Sequence, residues 1–307
     1  MPQHNSALAL RSLALAIASV IGTVQAEETT QSLPLVEVTD NGLEADTTDS
    51  YTTPIIRSAT RLDLSVRETP QSISVVTQQQ IKDQGANTVS DALRHTTGIS
   101  VKSQDRARNE VMSRGFEVNN YQIDNMPISK DIESGLDTAN TAIYDRIEIV
   151  RGATGLVSGA GDPSATINLV RKRANSLVFT GSVDVEAGSW DRRGATADIS
   201  TPVTADGSVR TRLVGHFAES DSFVDLENTE NSVFYGVVEA DLSEHTRLTV
   251  GGSYEKDDLS GIYWGSLPFF YADGSRTDLD QSTTTAADWN HWTTEDTTLF
   301  ASLEHTL

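Results

Sequence analysis

Ile143-Tyr144-Asp145-Arg146-Ile147-Glu148-Ile149-Val150-Arg151-Gly152-Ala153-Thr154-Gly155-Leu156 is the stretch whose reading decides the fold, together with its continuation Gly159-Ala160-Gly161-Asp162-Pro163-Ser164-Ala165-Thr166-Ile167-Asn168-Leu169-Val170. Ile147 and Ile149 alternate with Arg146, Glu148 and Val150, which predicts a strand, and Thr166 to Arg171 predicts a second one after a glycine-rich turn. A strand followed by glycines invites a nucleotide-binding reading, but a dinucleotide loop needs G-x-G-x-x-G opening a helix, and a phosphate loop needs Gly-Lys-Ser/Thr. Here Gly161 is followed by Asp162-Pro163-Ser164 and then by β-branched residues. The glycines therefore serve a turn, where positive φ or close packing is required.

Outward from this stretch, residues 58–175 read as one α+β unit. Ile73, Val75 and Val76 begin with a strand. Thr77 with Gln80 forms a capping box for a short helix closed by Gly85, and Thr88 with Asp91 starts a second helix through Leu93 that stops before Gly98. Further strands are expected near 99–102, 111–114, 121–124, 146–150 and 166–171, with polar loops at 103–110 and 129–140. After about Ala174 the pattern changes to alternating segments of roughly ten residues, the length of a tilted membrane strand. Six are expected, at 178–188, 192–202, 208–220, 231–243, 245–257 and 295–306, followed or joined by turns such as Ala205-Asp206-Gly207-Ser208. Their apolar sets (Phe234, Val238, Ala240; Leu248, Val250, Tyr254) would face lipid and the polar sets a lumen. Six strands cannot close around a unit of this size, since plugged barrels need about 22, so the chain is expected to be the front part of a longer protein.

Bulk composition narrows the alternatives. The 307 residues carry a net charge of −21, with 21 acidic against 15 basic side chains over 27–175 and 23 against 7 over 176–307. Nucleic acid and anionic membrane surfaces are poor partners for such a chain. No internal apolar run reaches the ~18 residues of a membrane helix. The absence of cysteine removes disulfides and thiol chemistry. Arg11, the apolar run Leu13 to Val20 and the small-x-Ala site Val24-Gln25-Ala26 read as a secretory signal over 1–26. Residues 27–57 form a polar arm interrupted by one alternating island, Leu33-Pro34-Leu35-Val36-Glu37-Val38, that is either a linker hydrophobe or a segment able to add to a sheet as one strand.

Catalytic and metal chemistry are not indicated. His95, His216, His245, His291 and His305 are scattered with no ligand spacing, and neither Ser158 nor the Asp91/His95 pair sits in a nucleophile elbow or finds a third partner. An enzyme is not expected, nor a resident cofactor.

Several ordered blocks together resemble the TonB-dependent ferric-siderophore receptors, closest to the ferric-pyoverdine and hydroxamate group. They are Arg67-Glu68-Thr69-Pro70-Gln71-Ser72-Ile73-Ser74-Val75-Val76-Thr77, Asp91-Ala92-Leu93-Arg94, Ser113-Arg114-Gly115-Phe116, Tyr121-Gln122-Ile123-Asp124-Asn125-Met126-Pro127, the opening stretch, Gly188-Ser189-Trp190-Asp191 and Phe300-Ala301-Ser302-Leu303-Glu304-His305. Thr97 and Asn125 depart from the family's usual Pro and Gly.

The resemblance implies a membrane β-barrel, represented by about 6 of about 22 strands (176–307), enclosing an α+β plug domain (58–175) in the outer membrane. It implies import of iron already wrapped in a siderophore, and a TonB box at Leu33 to Val38 that the inner-membrane protein TonB captures. It makes Arg114 and Arg151 plug arginines that latch onto barrel glutamates. It places Arg108 at the plug apex facing the chelate, where the alternative is a solvated loop charge. The long loop 258–294 concentrates Tyr263, Trp264, Phe269, Phe270, Tyr271, Trp289 and Trp292. That density is read either as an interfacial girdle or, because it falls in one loop, as a lip on which ligand packs. Arg108, Tyr263, Trp264, Trp289 and Trp292 are the expected ligand contacts. Acidic residues Glu219, Asp221, Asp225, Glu227, Glu230, Asp257 and Asp258 are expected around it. The rival readings are a truncated, non-transporting periplasmic plug-type binding protein and a secreted β-rich adhesin.

Overall fold

The computed structural model describes residues 50–53, 56, 58–60, 64–105, 107–129, 136–152 and 163–306, with backbone alone at Ser129. The signal segment 1–26, the island Leu33 to Val38 and the glycine run 153–162, with Ser158, lie outside the described residues.

The inner unit is built on a five-stranded sheet of order β1-β7-β8-β5-β6, in which only β5 and β8 run parallel. Its strands are β1 (Ser72–Thr77), β5 (Asn120–Ile123), β6 (Met126–Ser129), β7 (Tyr144–Arg151) and β8 (Ala165–Arg171). A three-stranded sheet, β2 (Ile99–Ser103), β3 (Asn109–Ser113) and β4 (Phe116–Glu117), stands beside it. Two short helices follow β1, α1 (Gln78–Gln84) and α2 (Val89–Arg94). Both predicted capping boxes form, at Thr77/Gln80 and Thr88/Asp91, and Gly85 ends α1 in the left-handed region at φ 59°. The sequence pattern missed β4 and β6, two short strands that close hairpins through the positive-φ pairs Arg114-Gly115 and Asp124-Asn125. Asn125 has φ 66°, and after glycine asparagine is among the residues that best tolerate that conformation.

The opening stretch departs from its simple reading in one respect. β7 is buried along both faces, because it lies between β1 and β8 and its polar face is covered too. Ile147 and Ile149 join the apolar cluster of Ile81, Val89 and Leu93 from the helices. Arg146 and Glu148 form a buried polar layer, with Arg146 Nε donating to Glu148 at 2.7 Å and Ser58 Oγ donating to the same carboxylate. An alternating strand promises a wet face only when nothing covers it, and the segment around Ser58 covers this one.

The wall is a six-stranded antiparallel meander: β9 (Thr180–Ala187), β10 (Arg193–Pro202), β11 (Val209–Asp221), β12 (Asn228–Ser243), β13 (Thr246–Ser260) and β14 (His291–His305). Its outward side chains are apolar and exposed, among them Val185 (80 %), Phe234 (54 %) and Leu299 (84 %), while inward Val214, Tyr235, Val237, Arg210 and Glu239 are buried against the plug. This inverts the usual water-soluble arrangement and is that of a lipid-facing strand set. Strands β13 and β14 extend further than their pattern predicts, so the loop shrinks to 261–290 and Trp292 lies on β14 rather than in the loop. The polar tops of these strands carry too little apolar alternation to be counted as strand from sequence alone.

Candidate functional site

Between the plug and the wall lies a cavity of about 920 Å³. The plug contributes the loop between β2 and β3, whose shape is set by one carboxylate. Asp105 Oδ1 accepts from the backbone N–H groups of Ala107 and Arg108, both at 2.9 Å, and its Oδ2 accepts from Arg108 Nε at 2.6 Å. The Arg108 guanidinium is thereby held flat and lies 3.8 Å from the centroid of the Trp264 ring. Trp264 in turn stacks on Trp292, with centroids 5.3 Å apart and planes inclined by 25°. The structure thus brings Arg108, Trp264 and Trp292 into one column, and Tyr263 and Trp292 line the cavity. Trp289 does not join them. It is 75 % exposed and outside the cavity walls, because it precedes β14 on the outer loop.

The cavity is polar and mostly acidic. Asp91 and Asp105 reach it from the plug, and Glu219, Glu227 and Asp257 from the wall, against Arg94 and Arg192. Of the other acidic residues expected around it, Asp221 accepts from Asn228 and Asp225 from Ser282, away from the cavity walls. Its floor is tied by Asn140, whose backbone N–H donates to Glu255 at 2.7 Å and whose Nδ2 donates to Asn231 at 2.8 Å. Asn231 also donates to Asp257 at 2.7 Å. Sequence reasoning named Asp257 but not Asn140, Asn231 or Glu255 as part of this floor, although the inward phase of Asn231 and Glu255 on their strands was available to find them.

The two expected latch arginines behave differently. Among the described residues neither Arg114 nor Arg151 pairs with a carboxylate. Arg151 bonds within the plug, through Nη1 to Ser74 Oγ and the Thr97 carbonyl at 2.7 Å each and through Nε to Ser72 Oγ at 3.1 Å. Burial first and the neighbouring Arg114 charge second lower its pKa. The plug is fastened to these six strands by other residues: Lys172 to Asp198 and Arg173 to Glu239, each at 2.7 Å, and Tyr235 Oη to the Lys172 carbonyl at 2.6 Å. Arg171 adds its guanidinium 3.5 Å from the Phe300 ring centroid. The run Arg171-Lys172-Arg173 carries this signal in sequence, at the point where the plug ends and the wall begins. Among the described residues no group of histidine, aspartate and glutamate is placed to hold a metal ion.

Comparisons with known proteins agree with this architecture. The family model of the TonB-dependent receptor plug domain matches residues 65–166. The chain is 43 % identical over 295 residues to the ferripyoverdine receptor of Pseudomonas aeruginosa, and 40 % identical over 291 residues to a ferric-pyoverdine BN7/BN8 receptor of Pseudomonas putida. These alignments cover 94 % and 93 % of this chain but 36 % of each relative, so the chain spans about a third of their length. The solved pyoverdine outer membrane receptor of Pseudomonas aeruginosa superposes with a TM-score of 0.83 at 43 % identity, over 88 % of this chain and 40 % of that one. An inner α+β unit that matches the plug model over residues 65–166, flanked by six outward-apolar strands that superpose on part of a solved receptor, means that the chain carries a TonB-dependent receptor plug domain and part of a barrel wall.

Proposed function

We propose that this chain is the ligand-gathering part of an outer-membrane receptor that binds a ferric siderophore and passes it to the periplasm under the action of TonB. The observation that carries the reading is the Arg108–Trp264–Trp292 column, which meets a 920 Å³ cavity between plug and barrel strands through Trp292, while Arg108 and Trp264 stand just behind its lining beside Asp105, Ala107 and Tyr263. Flat aromatic faces desolvate an amphipathic chelate while a fixed cation orients its oxygens, which is what a site for a wrapped metal requires. Iron enters as cargo already coordinated, so no protein ligand is needed. The relatives named for ferric pyoverdines at 43 % and 40 % identity support a pyoverdine-type chelate. The acidic lining favours neutral or cationic chelates over strongly anionic ones.

Coupling would run through Leu33 to Val38, which offers an alternating strand for β-augmentation by TonB. The adjacent Arg114 and Arg151 form a like-charged pair in the plug, and we assign them to meet carboxylates of the wall beyond the six strands here. The alternative of a water-borne plug-type binding protein conflicts with a wall that turns Val185 and Leu299 outward.

The test is fluorescence quenching and radio-iron uptake with ferric pyoverdine, using a receptor of the relatives' length that carries this chain. Saturable binding that weakens in Arg108→Ala and Trp264→Ala is expected. Unchanged affinity in both, with normal expression, would return these residues to a packing role.

A further inference from the structure

On the inner face of the wall, side chains from neighbouring strands stand level in rows. The register sets Glu186, Gly194, Ala218, Asn231 and Asp257 in one row across β9 to β13, and Thr196, His216, Val233 and Glu255 in the next row down. The upper row has no side chain at Gly194 and a single methyl at Ala218, which leaves a notch two strand spacings wide, ~10 Å. A Cβ at Gly194 would come within 2.6 Å of Glu186 Oε1, so the Glu186 carboxylate leans into the notch from one end. Asn231 and Asp257 close the other end, and His216 forms the sill below. On the plug side Asn87 Nδ2 reaches Glu186 at 3.4 Å and Asn140 Nδ2 donates to Asn231 at 2.8 Å, so the plug bounds the same space. Glu186, His216, Ala218, Asn231 and Asp257 all border the outer cavity.

The notch is rich in acceptors and short of positive charge. Arg192 is engaged by Glu186, with Nη2 at 3.1 and 3.2 Å from its two oxygens, and Arg94 lies between Asp91 and Ser103. Asp257 and Glu255 are half-buried and, among the described residues, meet amide donors alone: Asn231 Nδ2 for Asp257 and the Asn140 N–H for Glu255, each at 2.7 Å. Carboxylates drawn out of water favour a cation beside them. His216 points to the same occupant independently. It is 7 % exposed and borders the cavity, yet its Nε2 has no hydrogen-bond partner, whereas buried polar atoms are nearly always satisfied. Its Nδ1 contacts Thr196 Oγ1 at 2.7 Å. With Nδ1–H donating to that hydroxyl, Nε2 turns a lone pair towards the notch and calls for a donor.

We propose that this notch is a subsite for a primary ammonium group carried on a side arm of the chelate, received by His216 Nε2, Asp257 and Glu186. The inference rests on the siderophore reading above and adds to it the chemical class of the ligand's arm. Trp292 stands level with Leu259, one row above Asp257, so a chelate packed on its ring has the notch within reach of a short arm. The three N–H donors of an ammonium match two carboxylates and one imidazole nitrogen set around a compact space. A guanidinium is a planar fork that asks for one flat, bidentate partner, and the Glu186 carboxylate already faces Arg192 in that way.

The probes are a ferric pyoverdine whose peptide carries a free side-chain amine and the same chelate after acetylation of that amine, which removes the charge. Each is titrated by fluorescence quenching against the receptor at the relatives' length. The unsubstituted receptor should bind the amine form about tenfold more tightly or better. Asp257→Asn, which keeps the shape of the side chain, should bring that ratio below about threefold. Ala218→Leu, which fills the notch, and His216→Phe, which removes the acceptor, should do the same. Equal affinity of the unsubstituted receptor for the two forms would overturn the proposal whether or not the variants fold, and would leave the siderophore reading standing. A ratio that stays near tenfold in the variants, including through equal weakening of both forms, would overturn it too, because the amine would then rest elsewhere. Failure of the unsubstituted receptor to bind either form would overturn the siderophore reading and this inference with it.

Discussion

Arg108 shows how one side chain is prepared by its neighbours. Asp105 spends both oxygens on the loop and on the guanidinium, which leaves Arg108 a single orientation over Trp264. Arg108→Lys keeps the charge and loses the planar stack, so it should weaken chelate binding almost as much as Arg108→Ala. Loss of Trp264 should cost about 2 kcal/mol, a thirtyfold drop in affinity readable by fluorescence titration. Deeper in the plug, Glu148 is 1 % exposed and bonds Ser58 and Arg146. Glu148→Ala takes from the buried Arg146 guanidinium one of its paired carboxylates, while Asp145 stays in contact. Thermal unfolding in detergent should show a loss of about 3–5 kcal/mol, against a smaller loss for Arg146→Met/Glu148→Leu. The sequence announced Arg108 only through its family position. The Asp105 bonds that orient it depend on backbone amides, which no side-chain pattern displays.

Among the elements, the helices were legible because their ends are chemical. Thr77, Thr88 and Gly85 are cap residues whatever they cap, and Thr77→Ala or Thr88→Ala should each cost about 1 kcal/mol of stability. The wall strands were legible wherever lipid-facing and lumen-facing residues alternate, and ceased to be so where both faces meet water, at the tops of β13 and β14. Short edge strands such as β4 and β6 carry two to four residues, too few for a period to appear. The turn between β10 and β11 offers a pH test. The Asp206 carboxyl is held down to about 2, first by Thr204 and then by the Ser208 N–H and hydroxyl. Its contribution is fully present above the unfolded value of 3.8 and is lost as pH falls towards 2. An NMR titration of Asp206 should place its midpoint near 2, and Asp206→Asn should remove that part of the acid sensitivity. A midpoint near 4 would show that the turn's hydrogen bonds do not form.

At the scale of the whole molecule, the fold was legible because two unlike patterns, an α+β unit and an alternating meander, follow one another in a single chain. The way they fasten was not, since the ties at Lys172, Arg173 and Asn140 each join residues far apart in sequence. Function at this scale depends on the arm. Leu35→Pro or Val36→Pro removes a ladder donor from the proposed added strand or stiffens it, and should abolish uptake while surface binding of ferric pyoverdine persists. Uptake surviving both substitutions would move the coupling strand elsewhere.

The wall strands lengthen along the chain, from 8 residues in β9 and 10 in β10 to 16 in β12 and 15 in β13 and β14. At ~3.3 Å per residue and a tilt near 40°, β9 rises about 20 Å, while β13 rises about 38 Å, past a hydrocarbon band of about 25 Å. The register shows where the extra length lies: Ala187 at the end of β9 is level with Asp258, so β13 exceeds it at the rim by Leu259 and Ser260 alone, whereas Thr180 is level with Gly251, so the remaining residues, Thr246 to Val250, exceed it at the opposite end. The rim that holds Trp292 is therefore nearly level across these strands, and the wall deepens instead towards the short turns at 203–208 and 244–245, away from the mouth of the cavity.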